Sequence, residues 1–232
     1  MKVISSLAVR AAYLELAPAF EKRSGRRLET EWVGMVDIRK RMLAGESADL
    51  VIGSAALIDE LTAAGKIVRG SRVDLVSSGV GVAVRAGARK PDISSVEALK
   101  RALLDAKSIA YSSGPSGVYL AGLFERLGIA QALKGKAYQA PPGVLVGELI
   151  ARGEYELGFQ QVPELRAVGA SIDFVGELPS EIQTITVFAG AIPANAKEPE
   201  AAKALLEFLT SAEASPVIRK HGMQPARPEQ RV

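Results

Sequence analysis

The tightest constraint on this chain is the alternation of short apolar runs with helix-period segments along its first 65 residues. Residues 2–4 read as a short strand running into Ser5-Ser6. Apolar positions Leu7, Ala11, Leu14, Ala17 and Phe20 then recur close to every 3.6 residues, which predicts a helix over 7–24 that Gly25 stops. Residues 28–33 alternate and include Trp32, predicting a second strand. Beyond Gly34-Met35, residues Ile38, Met42 and Leu43 mark the apolar face of a second helix closed by Gly45. Residues 49–52 predict a buried third strand ending in Gly53-Ser54, and a helix over 56–64 ends at Gly65. A β-α-β-α-β-α order covers both faces of a parallel sheet with helices, so the expected class is α/β.

The pattern then changes. Residues 73–84 are a long, β-rich run of small residues that meets a polar turn over 85–92. Ser95 reads as the N-cap of a helix reaching Leu104. A strand is expected over 108–111, a loop over 112–117, a helix over 118–127 stopped by Gly128, a helix over 144–151 and a strand over 156–159. Residues 182–190 form a second extended run, followed by helices over 199–210 and 213–220. Two extended, Gly-containing crossings predict a bilobed chain with one discontinuous lobe. Lobe 1 is 1–80 plus 190–232, lobe 2 is 81–189, and a ligand cleft is expected between them. A single doubly wound domain is the alternative that 232 residues tolerate.

Composition narrows the chemistry. The chain has no Cys and one His, so disulfides, thiol nucleophiles, zinc knuckles and multi-His metal sites are excluded. No metal and no cofactor is expected. His221 lies in Lys-His-Gly-Met-Gln-Pro, the end of a helix before a Gly stop, and reads as a dipole-compatible surface residue rather than a base. A net charge of +3, from 29 Lys and Arg against 26 Asp and Glu, argues against a nucleic-acid partner. No stretch approaches the roughly 18 apolar residues of a spanning helix. Residues 1–4 are too short a lead for a signal peptide. The expected location is therefore cytoplasmic if Met1 is the native start, and periplasmic if a leader was removed.

In open α/β sheets, ligands sit beyond the carboxyl ends of the strands. The residues there are small, hydroxylated or amide-bearing: Ser5, Ser6, Gly34, Met35, Ser54, the run Ser112-Ser113-Gly114-Pro115-Ser116-Gly117, and Gln160-Gln161. Ser78, in the first crossing, joins this set. Several precede helices, whose first N–H groups and dipoles attract anions. Each Ser also has a plainer reading as an N-cap. The run 112–117 holds more Gly and Ser than a cap needs, yet lacks the Lys-Ser/Thr pair of a phosphate loop. Gly79-Val80-Gly81 sits in an extended run rather than at a helix start, and reads as a flexible interlobe strand. Arg10, Arg72 and Arg85 are the nearest cations in sequence. Tyr111 and Tyr119 flank the Ser/Gly run. The expected ligand is a small anion held by neutral donors.

The order of these features resembles the type II periplasmic solute-binding fold, in its molybdate-binding-protein-like branch. The likeness rests on strand-Ser5-Ser6-Leu7-helix, on Gly45-Glu46-x-Ala48-Asp49-Leu50 before the third strand, on the two crossings and on Leu127-Gly128-Ile129. It implies two Rossmann-like lobes with mixed sheets joined by two hinge strands. It adds Gly143 and Val144 to the ligand loops, and it implies a monomer that serves an ABC-transporter permease. The branch supplies a hydroxyl where this chain has Gly34-Met35, and commonly a Tyr where it has Gln161. Those departures favour a di- or tricarboxylate over molybdate or tungstate. An enzymatic relative, aconitate isomerase, keeps allylic proton transfer open, with no catalytic residue assigned. An effector module of a transcription regulator is the third reading.

Overall fold

The computed structural model describes residues 1–226. In chain order the elements are β1 (Lys2–Ser6), α1 (Arg10–Ser24), β2 (Glu29–Val33), α2 (Met35–Leu43), β3 (Leu50–Ser54), α3 (Ala55–Ala63), β4 (Val73–Ser78), β5 (Val80–Arg85) and α4 (Val96–Asp105). There follow β6 (Ile109–Tyr111), α5 (Pro115–Arg126), α6 (Ala130–Leu133), β7 (Ala137–Gln139), α7 (Val146–Ala151), β8 (Leu157–Gln161), α8 (Val162–Arg166) and β9 (Ile172–Glu177). The chain finishes with β10 (Thr186–Ala191), α9 (Pro199–Leu209), α10 (Ser215–Lys220) and β11 (Gln224–Pro225). It divides into two compact units, residues 1–77 with 186–232, and residues 78–185.

The first unit holds a six-stranded mixed sheet ordered β11-β4-β10-β3-β1-β2. β1 runs parallel to β2 and β3, whereas β10 is antiparallel to β3. Strand residues alternate between faces, so one strand feeds two cores. Val3, Leu50, Ile52 and Phe188 join the cluster under α1 and α9, while Ile4, Val51, Ala189 and Ala191 join the one under α2 and α3. This explains why these strands read as continuous apolar runs.

The second unit holds a five-stranded mixed sheet ordered β7-β6-β8-β5-β9. β6 is parallel to β7 and β8, and β5 is antiparallel to β8 and β9. Val80, Val82, Val84, Leu157 and Phe159 pack with α4, α5 and α6. The opposite face carries small residues, because α7 presses close. A Cβ on Gly158 would lie 2.5 Å from Ile150 Cγ1.

The expected run over 73–84 is two strands broken at Gly79, and the second crossing becomes a strand only at Thr186. Between them Gln183 substitutes for a strand partner: its Oε1 accepts the Val80 N–H at 2.9 Å and its Nε2 donates to Val80 O at 3.1 Å. Gly81 is not a loose link. It is buried in β5, with Phe174 2.6 Å from where a Cβ would stand. The helix expected from residue 118 starts at Pro115, whose fixed φ suits a first turn, so Ser116 and Gly117 are helical rather than loop. His221 caps α10 and contacts Glu15 at 2.8 Å.

Candidate functional site

Each unit presents a pole where its parallel strands end. In the first unit, the shared direction of β2, β1 and β3 puts Ser5, Ser6, Gly34, Met35 and Ser54 along one edge. Ser5 is fully buried and donates to Ser6 O at 3.3 Å. Ser6 caps the short 3-10 turn Leu7–Val9, its Oγ accepting from Ala8 N at 3.3 Å. Ser54 caps α3 in the same way, accepting from Leu57 N. A capping hydroxyl is used as an acceptor, which leaves its O–H able to donate to an anion. Met35 opens α2 and reaches across to β3, where its Sδ receives the Ser54 N–H at 3.4 Å. Gly34, with no side chain, caps α2 by its extended backbone alone.

In the second unit, β6 and β8 end side by side. Ser112 and Ser116 are buried and share a hydrogen bond at 2.9 Å between their Oγ atoms. Gly114 caps α5, and Ser113 is half-buried beside it. Gly117 lets α5 sit directly on the Ser112 carbonyl. Gly143 and Val144 are exposed in the turn before α7. Gln160 and Gln161 are both buried at the end of β8. Gln160 Oε1 accepts the Gly147 N–H of α7 at 3.4 Å, so this amide ties α7 to β8. Ser78 is buried at the end of β4, its hydroxyl donating to Gly79 O at 3.1 Å.

Two of the three arginines are engaged or placed elsewhere. Arg72 pairs with Asp59 and Asp74, both at 2.8 Å. Arg85 ends β5, whose antiparallel course carries it to the pole where β8 begins. Arg10 is exposed at the start of α1. The tyrosines flanking the Ser/Gly run are structural: Tyr111 stands edge-on to Phe124, and Tyr119 donates to Ile182 O at 2.7 Å.

Sequence reasoning missed Glu164. It lies in the first turn of α8 and is partly buried, and burial pushes its carboxyl up to about 7. Hydrogen bonds from the Gln160 side chain and the Gln161 backbone act in the opposite direction. The signal available in the sequence was the spacing Gln161-x-x-Glu164, a variant of the capping box. Among the described residues no cluster of His, Cys, Asp or Glu could hold a metal ion. None of their helices is long and apolar enough to cross a membrane.

Two α/β units with mixed sheets and donor-rich strand ends define a type II periplasmic solute-binding fold. The chain belongs to the bacterial extracellular solute-binding protein family, whose profile matches residues 1–224. It is 41% identical over 231 positions to an aconitate isomerase from Pseudomonas sp., covering 97% of this chain and 87% of that protein. The periplasmic molybdate-binding protein of Azotobacter vinelandii superposes with a TM-score of 0.82 at 18% identity, over 99% of this chain and all (100%) of that one. The sulfate-binding protein SubI from Mycobacterium tuberculosis H37Rv gives 0.77 at 20% identity, over 98% and 87%. At those identities the two structures establish the fold.

Proposed function

We propose that this protein binds a small tricarboxylate and isomerises it by allylic proton transfer, as an enzyme of the aconitate isomerase type. The observation that carries this reading is the 41% identity to such an enzyme, which extends over nearly the whole chain. The site chemistry supports it. Ser6, Ser54, Ser113 and the helix N-termini are neutral donors suited to carboxylates. Met35 offers apolar contact to a carbon skeleton, which bare molybdate or sulfate would not use. In this reading the protein needs no metal or cofactor.

Incubation with trans-aconitate should yield cis-aconitate, followed by chromatography. No product at millimolar substrate would remove the enzymatic reading. Ser6→Ala and Ser113→Ala should each weaken trans-aconitate binding by about 1–3 kcal/mol, measured by calorimetry, if their hydroxyls meet the ligand. Unchanged affinity in both would return these serines to capping alone.

The family, one of solute-binding proteins, supports a second reading as a binding protein; its solute would be a small organic acid passed to an ABC-type permease. A protein of that kind would be exported, and would raise its melting temperature with the ligand without turning it over. Stabilisation by molybdate but not by aconitate or citrate would overturn the organic-acid preference in both readings.

A further inference from the structure

The end of β5 and the start of β8 lie side by side, at the pole of the second unit opposite Gln160 and Gln161. Because β8 has five residues, this pole is about 13 Å from Gln161 along the strand. A cavity of about 480 Å³ is lined here by α4, by residues 88–92 and by these two strand ends. Its floor is apolar, with Val84 and Leu157 from the sheet and Ala98 and Ala102 from α4. Alanine at both helix positions leaves the space that a larger side chain would fill. A volume of that size holds a small organic molecule.

The rim carries charges of both signs, and half of them are engaged. Lys90 Nζ donates to Phe174 O at 3.4 Å, Asp92 Oδ1 accepts the Ser94 N–H at 2.9 Å, and Glu156 Oε2 accepts the Lys107 N–H at 2.7 Å. Ser94 lowers the Asp92 carboxyl first, and Arg101 adds to that through space. Among the described residues, the side chains of Arg89, Arg101 and Asp105 form no hydrogen bond and no ion pair. Arg101 and Asp105 stand one turn apart on the same face of α4, a spacing at which Glu148 and Arg152 do pair. Here the opposite charges stay apart, and both line the cavity.

Charge complementarity then selects the occupant. A plain anion would meet two free guanidinium groups but also the carboxylates of Asp92, Asp105 and Glu156. A plain cation would meet the converse. A molecule with both signs on an apolar body satisfies the free groups and the floor together.

We propose that this cavity is a second ligand site, for a free α-amino acid with a hydrocarbon side chain. Arg89 and Arg101 take its carboxylate, Asp105 takes its ammonium, and the apolar floor takes its side chain. The assignment is independent of the isomerase reading, because none of these residues lies at the strand ends that carry the neutral donors.

The test uses the whole protein, isotopically labelled, with free leucine and free phenylalanine as probes and amide chemical shifts as the readout. Shifts are expected at residues 88–92 and 98–106, saturating within about 10 mM. Isocaproate, which is leucine without its ammonium, and isoamylamine, which is leucine without its carboxylate, should each bind at least about tenfold more weakly. Arg101→Gln and Asp105→Asn alter exposed side chains. Each should weaken leucine binding about tenfold or more at an unchanged melting temperature. Ala102→Leu keeps every charge, fills the floor and should abolish the shifts at 88–92. No shift in these segments with either amino acid would overturn the proposal, as would shifts confined to the ends of β6 and β8. Isocaproate binding as tightly as leucine would overturn the zwitterion assignment. Full affinity in Ala102→Leu would put the probe outside the cavity and overturn the site.

Discussion

Gly117→Ala should be the most damaging single methyl group in the second unit. A Cβ at this position would lie 1.5 Å from the carbonyl oxygen of Ser112 and 2.4 Å from its carbon. Both are backbone atoms, so no side-chain rotation relieves the clash. α5 must lift from the end of β6, which parts the buried Ser112–Ser116 hydroxyl pair and opens the packing of Leu120 and Phe124. The expected cost is about 4 kcal/mol or more, in the range reserved for core disruption. It would be read as a fall in the urea midpoint at unchanged slope. Gly122→Ala is the control in the same helix. Its Cβ would meet only Arg126 Nη1, at 3.4 Å, the end of a flexible side chain. Ala is the better helix former, so that variant should be neutral or gain up to about 1 kcal/mol. Equal midpoints for the two variants would disprove the close approach of α5 to Ser112.

Glu164→Gln should stabilise the protein at alkaline pH and not at acid pH. The native carboxyl titrates at about 7 against an ordinary 4.5, so the folded state holds its proton more tightly than the unfolded state does. The stability associated with this group is fully present below about pH 4.5. It is lost as pH rises through about 7, because the ionised carboxylate must then stay partly buried. The full difference corresponds to about 3 kcal/mol, and partial exposure of the side chain sets the expected range at about 1–3 kcal/mol. Gln keeps the acceptor oxygen and never ionises. The gain over wild type should therefore grow between pH 4.5 and pH 8 in denaturant titrations. A pH-independent difference would show that Glu164 ionises normally.

Much of the first unit was legible because its central strands are apolar on both faces, and because a capping serine follows β1 and ends β3. Ser6, Ser54 and Ser95 cap helices or turns as their positions suggest. β7 and β9 escaped notice for a physical reason. They are the edges of the five-stranded sheet, paired on one side only, so polar residues such as Tyr138, Gln139 and Asp173 are tolerated there. Residues 182–185 looked extended without being a strand, since apolar residues beside a crossing do not reveal which neighbour they pair with.

Among the candidate site residues, the serines and amides at strand ends follow from local rules. For Glu164 the Gln161-x-x-Glu164 spacing marks a cap but not its burial, since a first-turn acid is ordinarily a solvated partner of the helix dipole. Gln160 likewise showed only that an amide ends a strand. Its partner Gly147 lies 13 residues away and reaches it only once α7 packs on β8.

The sequence by itself determined what acts within a turn or two of the chain: the α/β alternation, the capping hydroxyls, and a chemistry without thiol or clustered imidazole. Tertiary structure decided the second face of each strand, the glycine that admits α5 to Ser112, and the proton affinity of Glu164. Those depend on excluded volume and on removal from water, and both are set by residues distant in the chain that only the folded sheets bring together.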